Sequence, residues 1–208
     1  MRPARPRQPF ITIEGPNDYR NRRVMQQLAN FIDGDVSTTI RFSEGMSKLG
    51  IILMKDLRDE IELTDTVRYQ LRNANLWEHQ TDIENMAMHE NVTVITNQYV
   101  LSNRATFLSK GTVGVEFCSQ LDHGLIKPDL QIYLKSEPLS LRRCISLSDR
   151  DDEQSRSMIA EFFSNLASKD EEIKTVNYST NAIDEVIELY KKCVSKDLFD
   201  FQFFSELE

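Results

Sequence analysis

The sequence lacks the features of a membrane-spanning or disulfide-stabilised protein. Its 208 residues contain no apolar run near the roughly 18 residues that a transmembrane helix needs. Only three cysteines occur, Cys118, Cys144 and Cys193, and none forms a CxxC pair, so neither a disulfide framework nor a structural zinc site is predicted. A reducing compartment, cytoplasmic or nuclear, is therefore the expected location.

Positive charge is also scarce. The chain has 25 Lys and Arg against 33 Asp and Glu, which gives a formal net charge of −8 at pH 7. Because binding to a nucleic-acid backbone needs a cationic face, this balance disfavours a nucleic-acid partner without excluding one. No spacing of His or Cys residues predicts a metal site.

The composition, with 40% hydrophobic and 28% charged residues, indicates one globular domain. Residues 1–9 are basic and contain three prolines, so we expect a disordered arm there. The domain is predicted to cover residues 10–197, and an acidic, phenylalanine-rich tail follows at 198–208. This tail either folds back onto the domain or forms an exposed apolar patch that docks a partner.

Short β-branched runs alternate with longer segments of helical spacing along the domain. The runs predict strands at 10–13, 38–42, 92–96, 130–134 and 173–176. The apolar spacing predicts helices around 24–32, 49–57, 67–77, 158–166 and 183–190. Strands separated by helices are typical of a parallel sheet covered on both faces. We therefore predict an α/β fold with a parallel sheet of about five strands.

The turn after the first predicted strand is where parallel sheets commonly bind phosphates, on the exposed amides of a helix N-terminus. A phosphate loop needs several glycines, a lysine for the β- and γ-oxygens, and a Ser or Thr for Mg²⁺. Here Gly15 is the only glycine of the turn, Pro16 removes an amide donor, and the first lysine of the chain is Lys48. Taken alone, this turn does not indicate a nucleotide site.

Four short segments of the sequence nevertheless resemble segments of one and the same protein family. They are Phe-Ile-Thr-Ile-Glu-Gly at 10–15, Ala-Asn-Leu-Trp-Glu at 74–78, Asn-Gln-Tyr at 97–99 and Asp-His-Gly-Leu-Ile-Lys-Pro-Asp-Leu at 122–130. In order and spacing they resemble the thymidylate kinase family, enzymes that phosphorylate dTMP with ATP. The corresponding family strings include Ala-Asn-Arg-Trp-Glu, Asp-Arg-Tyr and Gly-Leu-x-Lys-Pro-Asp-Leu. The resemblance implies a P-loop nucleoside-monophosphate-kinase-like sheet with helices on both faces.

The resemblance also implies that positions carrying chemistry in the family are altered here. The family's Gly-Lys-Ser/Thr falls on Arg20, Asn21 and Arg22, and its loop carboxylate falls on Asn17, next to Asp18. The degenerate phosphate-loop positions are Gly15, Pro16, Asn17, Asp18, Tyr19, Arg20, Asn21 and Arg22. The degenerate nucleotide-site positions are Gly45, Leu76 and Gln98, which replace arginines, Asn97, which replaces an aspartate, and Arg72, which replaces the aromatic residue that stacks on thymine.

These losses predict a catalytically inactive thymidylate-kinase-like protein, because phosphoryl transfer depends on positioned charge and one arginine can be worth about 10³–10⁵ in rate. Its fold is expected to serve as a protein-interaction or scaffold subunit, with no catalytic residues and no cofactor. Two alternatives stay open. One is an active dTMP or nucleoside-monophosphate kinase with a rewired phosphate loop, which would use ATP and Mg²⁺. The other is a non-catalytic binder of nucleotides or RNA ends that would use Arg20, Arg22, Arg23 and Arg72, the first three as possible anion contacts.

The resemblance further suggests how this chain would meet a protein partner. Family members form homodimers through helices that correspond to about 48–59, 64–79 and 98–110 here. A homodimer or heterodimer through this face is therefore implied, with no membrane involved. Candidate interface residues on this face are Leu49, Ile52, Leu53, Val67, Leu71 and Trp77. The tail phenylalanines, Phe199, Phe201, Phe203 and Phe204, are a second candidate surface.

Overall fold

The computed structural model describes residues 6–16, 18–32, 36–41, 47–136 and 153–205. Within these ranges, strands and helices alternate along the chain. The strands are β1 (Phe10–Glu14), β2 (Ser37–Arg41), β3 (Thr93–Asn97), β4 (Leu130–Lys135) and β5 (Ile173–Asn177). The helices are α1 (Asp18–Ile32), α2 (Lys48–Leu57), α3 (Asp65–Glu78), α4 (Gln80–Met88), α5 (Val100–Leu108), α6 (Val115–Asp122), α7 (Glu153–Lys169) and α8 (Ala182–Val194). None of the described helices combines the length and the apolar character needed to cross a bilayer.

All the strands run parallel in one sheet with the order β2-β3-β1-β4-β5. β1 lies at the centre, where Ile11 pairs with Ile95 of β3 and with Leu130 of β4. The predicted α/β fold with a parallel sheet of about five strands is confirmed. Each strand begins and ends within one residue of the predicted position, because a run of β-branched residues bounded by turn signals is a strong local pattern.

Buried side chains cover both faces of the central strands, as a parallel sheet between helices requires. On one face, Ile13 of β1 and Ile132 of β4 pack with residues of α1 and α8. On the other face, Phe10 of β1 packs with residues of α3, α4 and α5, and Tyr133 of β4 packs with residues of α5 and α7. The short helix α6, which the apolar spacing does not predict, buries Cys118 against α3 and α5.

The end of β1 depends on the absence of a side chain at Gly15. A Cβ placed on Gly15 would lie 2.5 Å from the backbone oxygen of Leu134 in β4, a distance that real Cβ atoms do not tolerate. The chain can therefore leave the sheet close against β4 and begin α1 at Asp18. This brings the N-terminus of α1 to the carboxyl end of the central strand.

The predicted disordered arm over residues 1–9 is wrong for residues 7–9, while residues 1–5 lie outside the described residues. Arg7 is only 5% exposed. Its two terminal nitrogens donate to the carboxylate oxygens of Asp129 at 2.6 and 2.7 Å, and one of them also donates to the backbone oxygen of Asp200 at 2.9 Å. The guanidinium lies 3.7 Å from the ring centroid of Phe201. A bidentate ion pair with a cation–π contact thus orders the proline-rich segment.

The C-terminal tail folds back onto the domain. Its backbone pairs with the segment before β4, where the Lys127 N–H donates to the Gln202 oxygen at 2.7 Å. Phe204 is buried in the core on the α5 side of the sheet, so this candidate interface residue offers no surface to a partner. Phe199 and Phe203 are 44% and 57% exposed and remain on the surface.

Substitution of Arg7 tests how strongly this contact holds the termini. Arg7→Ala leaves the Asp129 carboxylate, 11% exposed, without its cation, and we expect the free energy of unfolding to fall by about 3 kcal/mol. Arg7→Lys keeps the charge but loses the bidentate geometry, so its stability should lie between that of the wild type and that of Arg7→Ala. Urea unfolding followed by the fluorescence of Trp77, the single tryptophan, measures these stabilities.

The control for this experiment is Arg23→Ala, because Arg23 is exposed. We expect its stability to stay within about 0.5 kcal/mol of the wild type. Equal stabilities of the Arg7→Ala and Arg23→Ala proteins would contradict the role given to Arg7.

Candidate functional site

The carboxyl ends of β1 and β3 bring together polar residues that are distant in the sequence. In an open parallel sheet, ligands bind at this edge where the strand order reverses. The first turn of α1 lies beside the end of β3, so that Asp18 contacts Asn97. Of the predicted site residues, Gly15, Asp18, Asn21, Arg22 and Asn97 belong to this cluster.

Asn21 occupies the inside of the turn between β1 and α1. Its side chain is completely buried, and its amide nitrogen donates to the backbone oxygen of Gly15 at 2.9 Å. The amide oxygen has no hydrogen-bond donor among the described residues. It lies 3.2 Å from the point where a Cβ of Gly15 would stand. An uncharged amide therefore fills the space at the position that the resemblance assigns to the phosphate-loop lysine.

Asp18 is the acidic residue of this turn, and its charge is engaged on both sides. It is 4% exposed. The Asn97 amide nitrogen donates to one carboxylate oxygen at 2.5 Å, and the Arg22 guanidinium lies 2.7 Å from the other. The i,i+4 spacing on α1 brings Arg22 over Asp18. The first turn of α1 thus carries a neutralised ion pair, because the carboxylate and the guanidinium compensate each other.

The three arginines predicted to contact anions lie in different surroundings. Arg22 pairs with Asp18, as described. Arg20 places its guanidinium 4.4 Å from the ring centroid of Tyr178, which follows β5. Arg23 is exposed to solvent. The structure therefore does not gather these guanidinium groups around one point.

The remaining predicted positions of the phosphate loop and the sheet edge are Pro16, Asn17, Tyr19, Gly45 and Gln98. Asn17 and Gly45 lie outside the described residues, Pro16 is half-buried, and Tyr19 is 64% exposed. Gln98, directly after β3, has a φ of 56°. This left-handed conformation costs a non-glycine residue about 1 kcal/mol or more.

The two predicted nucleotide-site positions on α3 take up hydrophobic contacts. Leu76 is 1% exposed and packs in the core with Phe10 and Tyr99. The Arg72 guanidinium lies 5.3 Å from the ring centroid of Phe107 in α5. Leu76 is therefore a core residue, and a Leu at this position is explained by burial.

Sequence reasoning missed Glu14, the last residue of β1. Its carboxylate is completely buried, accepts the Ser102 N–H at 2.7 Å, and is 3.3 Å from the Gln131 amide nitrogen that donates to it. Burial raises the pKa of Glu14 above its ordinary value, although these hydrogen bonds act in the opposite direction. The sequence contained a signal for this burial, because Glu14 directly follows a predicted buried strand and its side chain therefore has little access to solvent.

A second buried carboxylate, Asp122 at the end of α6, was also missed as a polar centre. It is completely buried and accepts hydrogen bonds from the Asn73 amide at 2.6 Å, the Arg104 guanidinium at 2.8 Å and the Tyr69 hydroxyl at 3.2 Å. Burial raises the pKa of Asp122. These contacts tie α3, α5 and α6 together. Within the described ranges, no group of three or more His, Cys, Asp or Glu side chains is arranged to hold a metal ion.

The family model of thymidylate kinase matches residues 23–189, which is more than half of the sequence. This chain belongs to the thymidylate kinase family. The match begins at residue 23, within α1, so β1, the turn after it and the first residues of α1 lie outside the match. The family predicted from the four sequence strings is confirmed.

Individual thymidylate kinases are also similar in sequence to this chain. The Danio rerio enzyme is 27% identical over 131 residues, covering 62% of this chain and 61% of the relative. The Homo sapiens enzyme is 27% identical over 130 residues, 61% of this chain and 60% of the relative. The match to these two relatives thus spans about three fifths of their length. The Arabidopsis thaliana enzyme is 26% identical over 187 residues, covering 88% of this chain and 69% of the relative.

Solved structures show that the fold is shared as well. Thymidylate kinase from Candida albicans superimposes with a TM-score of 0.76 at 21% identity, covering 94% of this chain and 98% of that one. The Ehrlichia chaffeensis enzyme superimposes with a TM-score of 0.71 at 17% identity, covering 89% and 99%. At these identities the likeness concerns the fold alone.

The predicted interface residues of this thymidylate kinase family member divide by exposure. Leu53 is buried within the chain, so it was wrongly included as a surface residue. Leu49 and Leu71 are half-buried. Ile52, Val67 and Trp77 are 36%, 39% and 43% exposed. Two further apolar residues of α2, Ile51 and Leu57, are exposed as well, although neither was among the predicted interface residues.

The buried carboxyl of Glu14 makes stability depend on pH in a defined direction. A folded-state pKa above the ordinary value of 4.5 means that ionisation costs the folded state free energy. The contribution of Glu14 to the free energy of unfolding is therefore highest below pH 4.5, and it falls as pH rises from 4.5 to the folded-state pKa of Glu14. Glu14→Gln keeps an acceptor for the Ser102 N–H and cannot ionise, so it should gain stability relative to wild type across this interval.

Thermal unfolding of both proteins between pH 4.5 and 8 measures this difference. Glu14→Ala is the matched control, because it cannot ionise either but removes the acceptor, so it should be about 1–3 kcal/mol less stable than Glu14→Gln at every pH. A Glu14→Gln advantage that is constant across the pH range would contradict the assignment.

Proposed function

We propose that this member of the thymidylate kinase family does not transfer phosphoryl groups and that its fold serves association with a protein partner. The observation that carries the first half of this proposal is the buried, uncharged side chain of Asn21 inside the turn after β1. The exposed apolar residues of α2 and α3 support the second half.

The chemistry of phosphoryl transfer explains why Asn21 matters. Such reactions are catalysed by positioning and by cations that stabilise the charge on the phosphoryl oxygens. The amide nitrogen of Asn21 is already donated to the Gly15 oxygen, and the atom that remains is an acceptor oxygen. An acceptor oxygen repels phosphate oxygens, whereas a lysine ammonium at the same place would attract them.

The surrounding charges do not supply the missing cation. Asp18 is held by Asn97 and Arg22, so an incoming Mg²⁺ would have to displace an amide and a guanidinium from one carboxylate. Arg20 lies against Tyr178. The family-model match that begins at residue 23, beyond this turn, is in keeping with a divergence that is concentrated there.

An active thymidylate kinase with a rewired phosphate loop is the second candidate function. The names of the relatives favour it, since the similar proteins from Danio rerio, Homo sapiens and Arabidopsis thaliana are all thymidylate kinases. Under this candidate the chain would use ATP, Mg²⁺ and dTMP.

A titration of the full chain with ATP·Mg²⁺ and dTMP separates the two candidates. We expect no change in melting temperature at millimolar nucleotide and no ADP formation, because Asn21 is uncharged and, among the described residues, the neighbouring Arg20 and Arg22 contact Tyr178 and Asp18. The double variant Arg20→Gly/Asn21→Lys restores the Gly-Lys pair of the family and should regain a nucleotide-dependent rise of a few degrees, although Lys in this buried site lowers its basal stability.

The matched control is Arg23→Gly/Gln27→Lys, which makes the same exchanges on the exposed side of α1. It leaves the net charge unchanged, as the test variant does, and it should not respond to nucleotide. Turnover of ATP and dTMP by the wild-type chain would contradict the proposed loss of phosphoryl transfer and would establish the active kinase instead.

Association through α2 and α3 is tested separately by light scattering. Ile52 and Val67 are exposed apolar residues that an interface would bury, so Ile52→Asp and Val67→Asp should shift a dimer to monomer at micromolar concentration. Met158→Asp introduces the same charge at an exposed apolar residue of α7 and should leave the mass unchanged. A wild-type chain that is strictly monomeric would rule out the homodimer and direct the search to a different partner.

A further inference from the structure

A cavity of about 620 Å³ lies on the α5 side of the sheet, away from the turn that contains Asn21. It is bounded by α5, the end of α7, the first residues of β4 and β5, and the C-terminal tail. This volume lies within the range of small-molecule sites. Its apolar wall is formed by Leu101, Leu166 and Ile173.

The charged part of the lining consists of Arg104, Lys127 and Lys169 together with the acidic residues Asp170, Glu171 and Glu172. Arg104 and Lys127 are only 13% and 14% exposed at their side chains. The Phe204 ring lies 5.8 Å from the Arg104 guanidinium and 5.9 Å from the Lys127 ammonium. The Arg104 charge is compensated within the protein by the completely buried Asp122.

Lys127 is compensated differently, by a carboxylate that belongs to the surface. The Lys127 ammonium lies 2.9 Å from Glu172, whose side chain is 64% exposed. Glu172 lies in the short turn between α7 and β5, where its backbone N–H donates to the Asp170 carboxylate and its own carboxylate pairs with Lys127. Because the Glu172 side chain is largely exposed, its carboxylate can be hydrated when it leaves the ammonium. Another anion can then take its place on Lys127.

We propose that this cavity binds a small organic anion that carries an aromatic ring. The anionic group would take the place of the Glu172 carboxylate on Lys127, and the ring would lie between Phe204 and the apolar wall. Aromatic rings gain from contact with another ring and with apolar side chains, and a carboxylate or phosphate pairs with the ammonium. The site is independent of the carboxyl edge, so this proposal does not rest on the loss of phosphoryl transfer.

The proposal is tested by titrating the full chain with benzoate and, in a parallel arm, with phenyl phosphate. Methyl NMR of Leu101, Leu166 and Ile173 follows the binding at low salt. We expect saturable shifts of these methyls with a dissociation constant of about 1 mM, as for fragments of this size. The arm with the lower constant identifies the preferred anion, carboxylate or phosphate.

Variants then distinguish a binding site from a structural ion pair. Glu172→Gln removes the competing carboxylate and should tighten binding about 3–10-fold. Lys127→Met should weaken it by about tenfold or more, and Leu166→Trp should abolish it by filling the cavity. Lys192→Met makes the same charge change at an exposed position of α8 and should bind as the wild type does.

Circular dichroism confirms that each variant is folded, and Glu172→Gln keeps the test decisive if Lys127→Met does not fold. Saturable methyl shifts that respond to Glu172→Gln and Leu166→Trp as stated would support the site. Absence of saturation in both wild type and Glu172→Gln up to 20-fold above the expected constant would overturn the proposal. Shifts that appear but are unchanged by Leu166→Trp would overturn it as well.

Discussion

The Asp129 carboxylate links parts of the chain that are far apart in the sequence. It accepts the Phe10 N–H at 2.8 Å, and so holds the first residue of the central strand. It also accepts both terminal nitrogens of Arg7, and through Arg7 it reaches Asp200 in the tail. Because β1 lies between β3 and β4, the group that holds its first residue also connects Arg7 and Asp200 to the centre of the sheet.

The tail in turn shapes the side of the sheet that it covers. Its backbone pairs with the segment that leads into β4, and this pairing delivers Phe204 into the core beside α5. The same ring separates Arg104 from Lys127 and closes one side of the cavity. The position of Phe204 in the cavity wall thus depends on the return of the tail to the segment before β4.

Polar groups at the carboxyl edge are arranged by a different constraint. Gly15 allows the close turn, and Asn21 fills the space that this turn encloses. Asp18 then pairs with Asn97 and Arg22, so charge at the start of α1 is balanced inside the protein. This local saturation is the structural basis of the proposal that phosphoryl transfer has been lost.

The sequence by itself determined the strands, the parallel α/β sheet and the family, because these depend on local patterns and on short strings such as 74–78 and 122–130. It also predicted that the turn after β1 lies at the edge of the sheet where ligands bind, since a parallel sheet brings strand ends together. Only the tertiary structure decided the order of Arg7, the burial of Leu53 and Phe204, and the pairing of Glu14 with Ser102. The physical reason is that each depends on contacts between segments far apart in the chain, such as Arg7 with Asp129, and local propensity contains no information on such contacts.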